Sequence, residues 1–255
     1  MLERTIEGAF VGIAVDGDAV WLGTKAGVLS RIDGGNLTVK GPVLGIAAGH
    51  GRLCVWDDAK VRLLDDQGAQ IGVWSAYGEA IESAAVTGEN AVEICSLDTQ
   101  GHPYDRCGYR RAVAVGQALD TRAYIATGWG KVPDPGVLGV EPQRDLNVPL
   151  VVLQSPTGRV ERRNQYMPGD CAVWVPAAGP EVTLALSMRD PWGFASTGEA
   201  LLAWSNRRLL LLDVSTGAER ATWEGEAYIR AIVPHRGKIY VLSDTAVVVL
   251  LIAEP

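Results

Sequence analysis

A chain of 255 residues, 47% of them hydrophobic, can bury a substantial core. Its net charge of -7, with both signs spread along the length, argues against a general nucleic-acid or anionic-membrane surface. The opening MLERTIEGAF has no basic segment followed by an apolar core, and no apolar run approaches the ~18 residues of a membrane span, so a cytoplasmic protein is expected.

The predicted elements are short strands. In chain order they include VGIAV, AVWLG, VLSRI, RLCVW, KVRLL, AVEIC, AYIAT, PLVVL, EVTLAL, ALLAW, KIYVL and AVVVLLI, each rich in Val, Ile, Leu or aromatic residues. Gly, Asp, Asn or Ser bounds them, and no stretch holds a helical period for long. An all-β fold of many short strands follows.

The strands recur in a pattern. GIAVDGDAVWLGTKAGVLSRIDGG (12–35), GIAAGHGRLCVWDDAKVRLLDDQG (45–68), GFASTGEALLAWSNRRLLLLDVSTG (193–217) and AIVPHRGKIYVLSDTAVVVLLIAEP (231–255) each read as strand, glycine-containing turn, strand, polar turn, strand. Gly17, Gly51, Gly198 and Gly237 permit positive φ in the first turn, and Asp33, Asp65 and Asp213 mark the turn after the third strand. The last repeat, 226–255, supplies three strands, whereas the others go on to a fourth such as AERATWEG. LERTIEG at 2–8 has the composition of that missing strand, so the N-terminus is expected to complete the last sheet. The middle, 79–190, has room for three further repeats, giving about seven four-stranded sheets in one domain, 1–255, with six sheets and two long insertions as the alternative.

Residues 209–251, LLLLDVSTGAERATWEGEAYIRAIVPHRGKIYVLSDTAVVVLL, resemble the WD-repeat family. Leu212-Asp213 stands where that family often has Trp-Asp, and Gly225-Glu226 where it often has Gly-His. The Asp-x-x-Thr-Gly turn at 213–217 is equally similar to quinoprotein-type repeats. The resemblance covers roughly 1–78 and 191–255 and implies a single β-propeller, its ring closed by the N-terminal strand in the last blade.

Chemistry is sparse. CSLDTQGHPYDRC gathers Cys95, Asp98, His102, Asp105 and Cys107, but in no spacing typical of zinc, and a strand followed by a polar turn gives the same letters. The four cysteines are expected to be reduced. His50 and His235 fall at the first hairpin turn of their repeats, where turn chemistry accounts for them, and no nucleophile–base arrangement or phosphate loop is visible. No catalytic residue, metal or cofactor is therefore assigned. Trp21, Trp56 and Trp204 lie in second strands and are expected to pack between sheets. Trp129 opens a long Pro- and Gly-rich stretch, and Trp129, Lys131, Asp134 and Arg144 are the candidate partner-binding residues. The pairs Arg110-Arg111, Arg162-Arg163 and Arg207-Arg208 read as charges on edge strands, with an interface as the other reading.

A rigid disc without catalytic groups is expected to hold another protein, such as an ATPase or sensor-system subunit, rather than nucleic acid or membrane. The Ala, Gly, Val and Arg bias points to a bacterial assembly. A hydrolase- or lyase-type enzyme with a site in the central channel is the alternative.

Overall fold

The computed structural model describes residues 2–76, 79–98, 108–119, 150–163, 171–188, 191 and 193–252, and among them all regular structure is β. After β1 (Leu2–Glu7) comes a sheet of β2 (Phe10–Asp16), β3 (Ala19–Thr24), β4 (Val28–Arg31) and β5 (Asn36–Thr38). A second sheet holds β6 (Gly45–Gly49), β7 (Arg52–Trp56), β8 (Lys60–Leu64) and β9 (Gln70–Ser75). Three strands follow, β10 (Glu79–Gly88), β11 (Ala91–Asp98) and β12 (Gly108–Ala114). The fourth sheet contains β13 (Leu150–Ser155), β14 (Gly158–Arg163), β15 (Cys171–Pro176) and β16 (Val182–Thr183). The fifth contains β17 (Gly193–Ser196), β18 (Ala200–Ser205), β19 (Arg208–Asp213) and β20 (Glu219–Glu224). In the sixth, β21 (Ile229–His235), β22 (Lys238–Ser243) and β23 (Ala246–Leu251) are joined by β1.

Every sheet is an antiparallel meander, and the sixth takes its outer strand from the opposite end of the chain. β1 pairs with β23 through Thr5↔Val248, Ile6↔Val247 and Glu7↔Ala246, and the Gly8 amide extends the ladder to the Thr245 carbonyl at 2.9 Å. The sequence expectation for 2–8 is met. Within 79–190, the described residues form two sheets, and residues 120–149 lie outside them.

The chain divides into two compact units, Ala9–Arg144, and Asp145–Pro255 together with Met1–Gly8. In the first, β7 is buried on both faces: Leu53 and Val55 join Leu29, Val43 and Leu64, while Cys54 and Trp56 join Leu63, Trp74, Ile94 and Val113. In the second, the same alternation explains the leucine run of β19. Leu209 and Leu211 pack with Ile229, Ile239 and Val241, and Leu210 and Leu212 pack with Val160, Trp174 and Phe194. A strand between two neighbouring sheets has no solvent face, so it loses the apolar–polar alternation of a half-buried one. Each such leucine contributes roughly 1.5–3 kcal/mol of burial. Burial also sets the chemistry of Cys54, whose thiol is pushed up to about 12 by desolvation, so it is a packing group rather than a nucleophile.

Trp56 and Trp204 share a device that single-strand patterns do not reveal. Each is registered opposite a glycine that begins the first strand of its sheet, Gly45 and Gly193. A Cβ on Gly45 would lie 2.1 Å from the Trp56 ring, and one on Gly193 would lie 2.3 Å from the Trp204 ring. Gly193→Ala is therefore expected to cost about 1–3 kcal/mol by overpacking, read as a lower urea midpoint with an unchanged slope. A midpoint shift no larger than that of an exposed turn substitution would refute the steric account.

The turns behave largely as their residues suggest. Gly17, Gly51, Gly198 and Gly237 all have positive φ, at 56°, 71°, 92° and 70°. Asp65 Oδ1 accepts from the amides of Gln67 and Ala69, and Asp213 Oδ1 accepts from the amides of Ser215 and Thr216 and from Ser215 Oγ. Asp33 differs, because its carboxylate is taken by Arg31 at 2.5 Å. The histidines are not equivalent: His50 is in the two-residue loop itself with φ of 55°, whereas His235 is the last residue of β21, paired with Lys238.

Asp213 gives a pH test of its turn. Hydrogen bonds from Ser215 Oγ, the Ser215 amide and the Thr216 amide favour the carboxylate and lower its pKa to about 2. A depressed folded value means the turn's contribution is complete above the ordinary aspartate range and is lost as pH falls through about 2. A carboxyl NMR titration of Asp213 should show its midpoint near 2. A midpoint in the ordinary aspartate range would contradict the observed turn.

Candidate functional site

Two connections at one end of the fifth sheet build an open surface. The β18–β19 loop is Asn206-Arg207, with Asn206 at φ of 52°, a conformation asparagine tolerates better than most residues. The β20–β21 connection, Gly225 to Tyr228, is tied to that loop: the Gly225 amide donates to Arg207 O at 2.8 Å and the Ile229 amide to Asn206 O at 2.6 Å. Arg207 Nη1 reaches the Glu226 carbonyl at 3.5 Å. Gly225 leaves room for the Trp223 ring, which would lie 2.4 Å from a Cβ at that position.

These ties hold Tyr228 at 57% exposure, the highest value among the exposed large hydrophobics of the described residues. Beside the hairpin is a cleft of about 420 Å³ lined by Met188, Ser205, Asn206, Arg207, Arg208 and Glu224. Glu224 is registered opposite Arg208 on the neighbouring strand. Among the described residues no carboxylate lies within ion-pair distance of Arg207 or Arg208. A tyrosine and two arginines at connections joined by two backbone hydrogen bonds, with a methionine in the adjoining cleft, have the composition of a protein-binding patch, since these types are enriched where partners dock.

Three other charged groupings each centre on a buried side chain. Glu79, Ser96 and Arg111 come from β10, β11 and β12, with Ser96 Oγ donating to Glu79 Oε2 at 2.5 Å and Arg111 Nη2 donating to Ser96 Oγ at 2.6 Å and to the same Glu79 oxygen. The Ser–carboxylate contact resembles a nucleophile–base pair, but Ser96 is 1% exposed and the acceptor oxygen is already shared with a guanidinium. No substrate reaches it, so the network is structural. Glu161 lies between Arg159 at 2.6 Å and Arg163 at 2.8 Å, and Arg163 first, then Arg159, holds its carboxyl below the usual range. Arg62 fastens the 39–43 connection through the Lys40 and Pro42 carbonyls.

Three solved structures at 10–12% identity align with nearly the whole chain. They are the β-propeller domain of Cps50 (Swd1) from Myceliophteria thermophila, with 12% identity, 98% of both chains covered and a TM-score of 0.55; Sqt1 from Saccharomyces cerevisiae, with 10% identity, 97% and 96% covered and 0.54; and the computationally designed Ika8 protein, with 10% identity, 98% and 97% covered and 0.56. The fold is that of a β-propeller. No protein-family model and no curated protein sequence matches the chain.

In propeller terms each sheet is a blade, and the sequence-stated residues can be placed on blades. Trp56 is buried in the blade interface, and Trp21 and Trp204 pack against such cores with partial exposure, as expected. Of the arginine pairs, Arg110-Arg111 lies on β12, an end strand of its sheet among the described residues, as the edge reading expects, but the other two do not. Arg162-Arg163 and Arg208 lie on β14 and β19, which have a paired strand on each side, and Arg207 is in the β18–β19 loop. Trp129, Lys131, Asp134 and Arg144 lie outside the described residues, as do His102, Asp105 and Cys107 of the metal reading. Cys95 is in β11 with a free thiol, and the described residues contain no cluster of His, Cys, Asp and Glu suited to a metal. Sequence reasoning missed Tyr228. A lone aromatic in the polar connection GEAYIR was the available signal.

Proposed function

We propose that the chain is a non-enzymatic protein-interaction scaffold, a cytoplasmic subunit of a bacterial multi-protein assembly. The observation that carries this reading is the exposed Tyr228 on a connection hydrogen-bonded to the Asn206-Arg207 loop, which lines a cleft together with Arg208 and Met188. A rigid aromatic anchor rimmed by arginine binds a partner at low ordering cost, because its loop is already held in place. In the same reading the chain is one domain of about seven blades, and the β1–β23 pairing closes its ring. The segment with Trp129, Lys131, Asp134 and Arg144 is a second contact for the partner, an ATPase or sensor-system subunit.

Tagged wild-type protein and a Tyr228→Ala/Arg207→Ala variant should be purified from the native host and their co-eluting proteins quantified by mass spectrometry. The expected result is a stoichiometric partner on the wild type, reduced at least about tenfold on the variant, with the circular dichroism of the two matching. A partner retained equally by both would move the interface elsewhere. Recovery of a solitary protein that turns over a substrate would overturn the scaffold reading.

A further inference from the structure

We propose that the cleft at the Asn206-Arg207 loop receives the carboxylate of a glutamate carried on an extended segment of a partner protein. The inference rests on the interaction reading above and adds the partner's chemistry to it. Arg52, Arg62, Arg111, Arg159 and Arg163 are buried or half-buried, and each donates to a carbonyl or carboxylate of this chain. Arg208, half-buried on β19, has no ion pair and no side-chain hydrogen bond among the described residues. A guanidinium partly withdrawn from water gains most from a carboxylate, which accepts two parallel bonds from its planar fork.

Two further donors line the same cleft. Ser205, the last residue of β18, is 7% exposed and has no side-chain hydrogen bond among the described residues. A hydroxyl covered to this degree is costly unless something accepts from it. Arg207 Nη1 lies 3.5 Å from the Glu226 carbonyl, a contact weak enough for the guanidinium to turn to an anion. At about 420 Å³ the cleft is larger than a lone ion and within the ~300–1,000 Å³ of ligand sites. Glu224 and Met188 narrow the choice of anion. Glu224 lines the cleft and is registered opposite Arg208, so its charge opposes the near-dianion of a phosphate ester more than the single charge of a carboxylate. Met188 adds an apolar wall that suits the methylenes of a glutamate. The loop is also hydrogen-bonded to the connection that bears the exposed Tyr228, which makes the cleft part of a protein-binding surface and its anion a side chain rather than a free small acid.

Fluorescence anisotropy of the full chain with labelled peptides tests this. The probes are a short glycine- and glutamine-rich peptide with a central glutamate, the same peptide with glutamine in its place, and the same peptide with phosphoserine there. The glutamate peptide should bind at least about tenfold more tightly than the glutamine peptide, Arg208→Gln should remove that difference, and Ser205→Ala should reduce it. Added salt should weaken the glutamate peptide and leave the glutamine peptide unchanged. Equal affinity for the two, or no binding of either, overturns the proposal, and so does tighter binding of the phosphoserine peptide. If Arg208→Gln fails to fold, the peptide comparison on the wild type decides. The result is separable from that of the co-purification. A stoichiometric partner alongside equal peptide affinities keeps the scaffold and removes the acidic segment, whereas a glutamate preference in a protein without a partner keeps the cleft and removes the scaffold.

Discussion

Glu79→Ala is expected to destabilise the protein by about 3–5 kcal/mol, more than almost any surface change in a chain of this size. The reason is the position of its partner. Arg111 is 2% exposed at the side chain and Glu79 8%, so the mutation takes the negative charge away from a guanidinium that water hardly reaches. Ser96 Oγ, also buried, loses its acceptor at the same time. A buried ion pair is weak evidence of net stabilisation, because desolvating both charges consumes most of their attraction, but removing one member leaves the desolvation cost of the other. The pair therefore predicts a sign change between single and double variants. Glu79→Ala alone should lower the urea midpoint sharply, whereas adding Arg111→Met should restore most of the loss. Additivity of the two single changes in a double-mutant cycle would show that the groups do not act as one network.

That network was invisible in the sequence for a physical reason. Glu79, Ser96 and Arg111 sit on three strands, and each reads alone as an ordinary polar residue of a half-exposed strand. Only the stacking of β10, β11 and β12 brings them together. The blades themselves were legible because their signals are local. Gly17, Gly51, Gly198 and Gly237 declare hairpins through backbone freedom, and the Asp213 turn declares itself through a side chain that bonds its own backbone. The run Leu209 to Leu212 needed both neighbouring blades to be understood, yet its composition already excluded a solvent-facing strand. The Tyr228 surface is of the non-local kind, since its rigidity comes from bonds between 225–229 and 206–207 that no single repeat contains.

Arg162-Arg163 shows how a correct composition leads to an incorrect placement, whereas Arg110-Arg111 does lie on an end strand, β12, among the described residues. Charged doublets on strands suggested guarded edges, but β14 is central, and Arg163 is occupied by carboxylates along and across the sheet, Glu161 and, at 2.8 Å, Glu181. Where edges do need protection, β1 and β20 supply both signs of charge.

Deletion of residues 1–8 is the change expected to damage the fold most. β1 contributes little burial of its own, since Arg4, Thr5 and Glu7 are exposed, and a count of its contacts with solvent would suggest a dispensable tail. Its importance lies in what it covers. β23 is AVVVLL, with Val247, Val249 and Leu250 buried, and loss of β1 turns this apolar strand into a bare edge with no charge in it. That is the sequence type that pairs with other chains when exposed. The truncated protein should melt roughly 10 °C or more below the full chain and should aggregate on concentration. A synthetic peptide of residues 1–8 added in excess should recover part of the melting temperature, because the lost interaction is a strand pairing that can be supplied from outside. If the truncated chain keeps both its melting temperature and its solution mass, the β1–β23 pairing is ornamental, and the joining of the two chain ends does not hold the last blade.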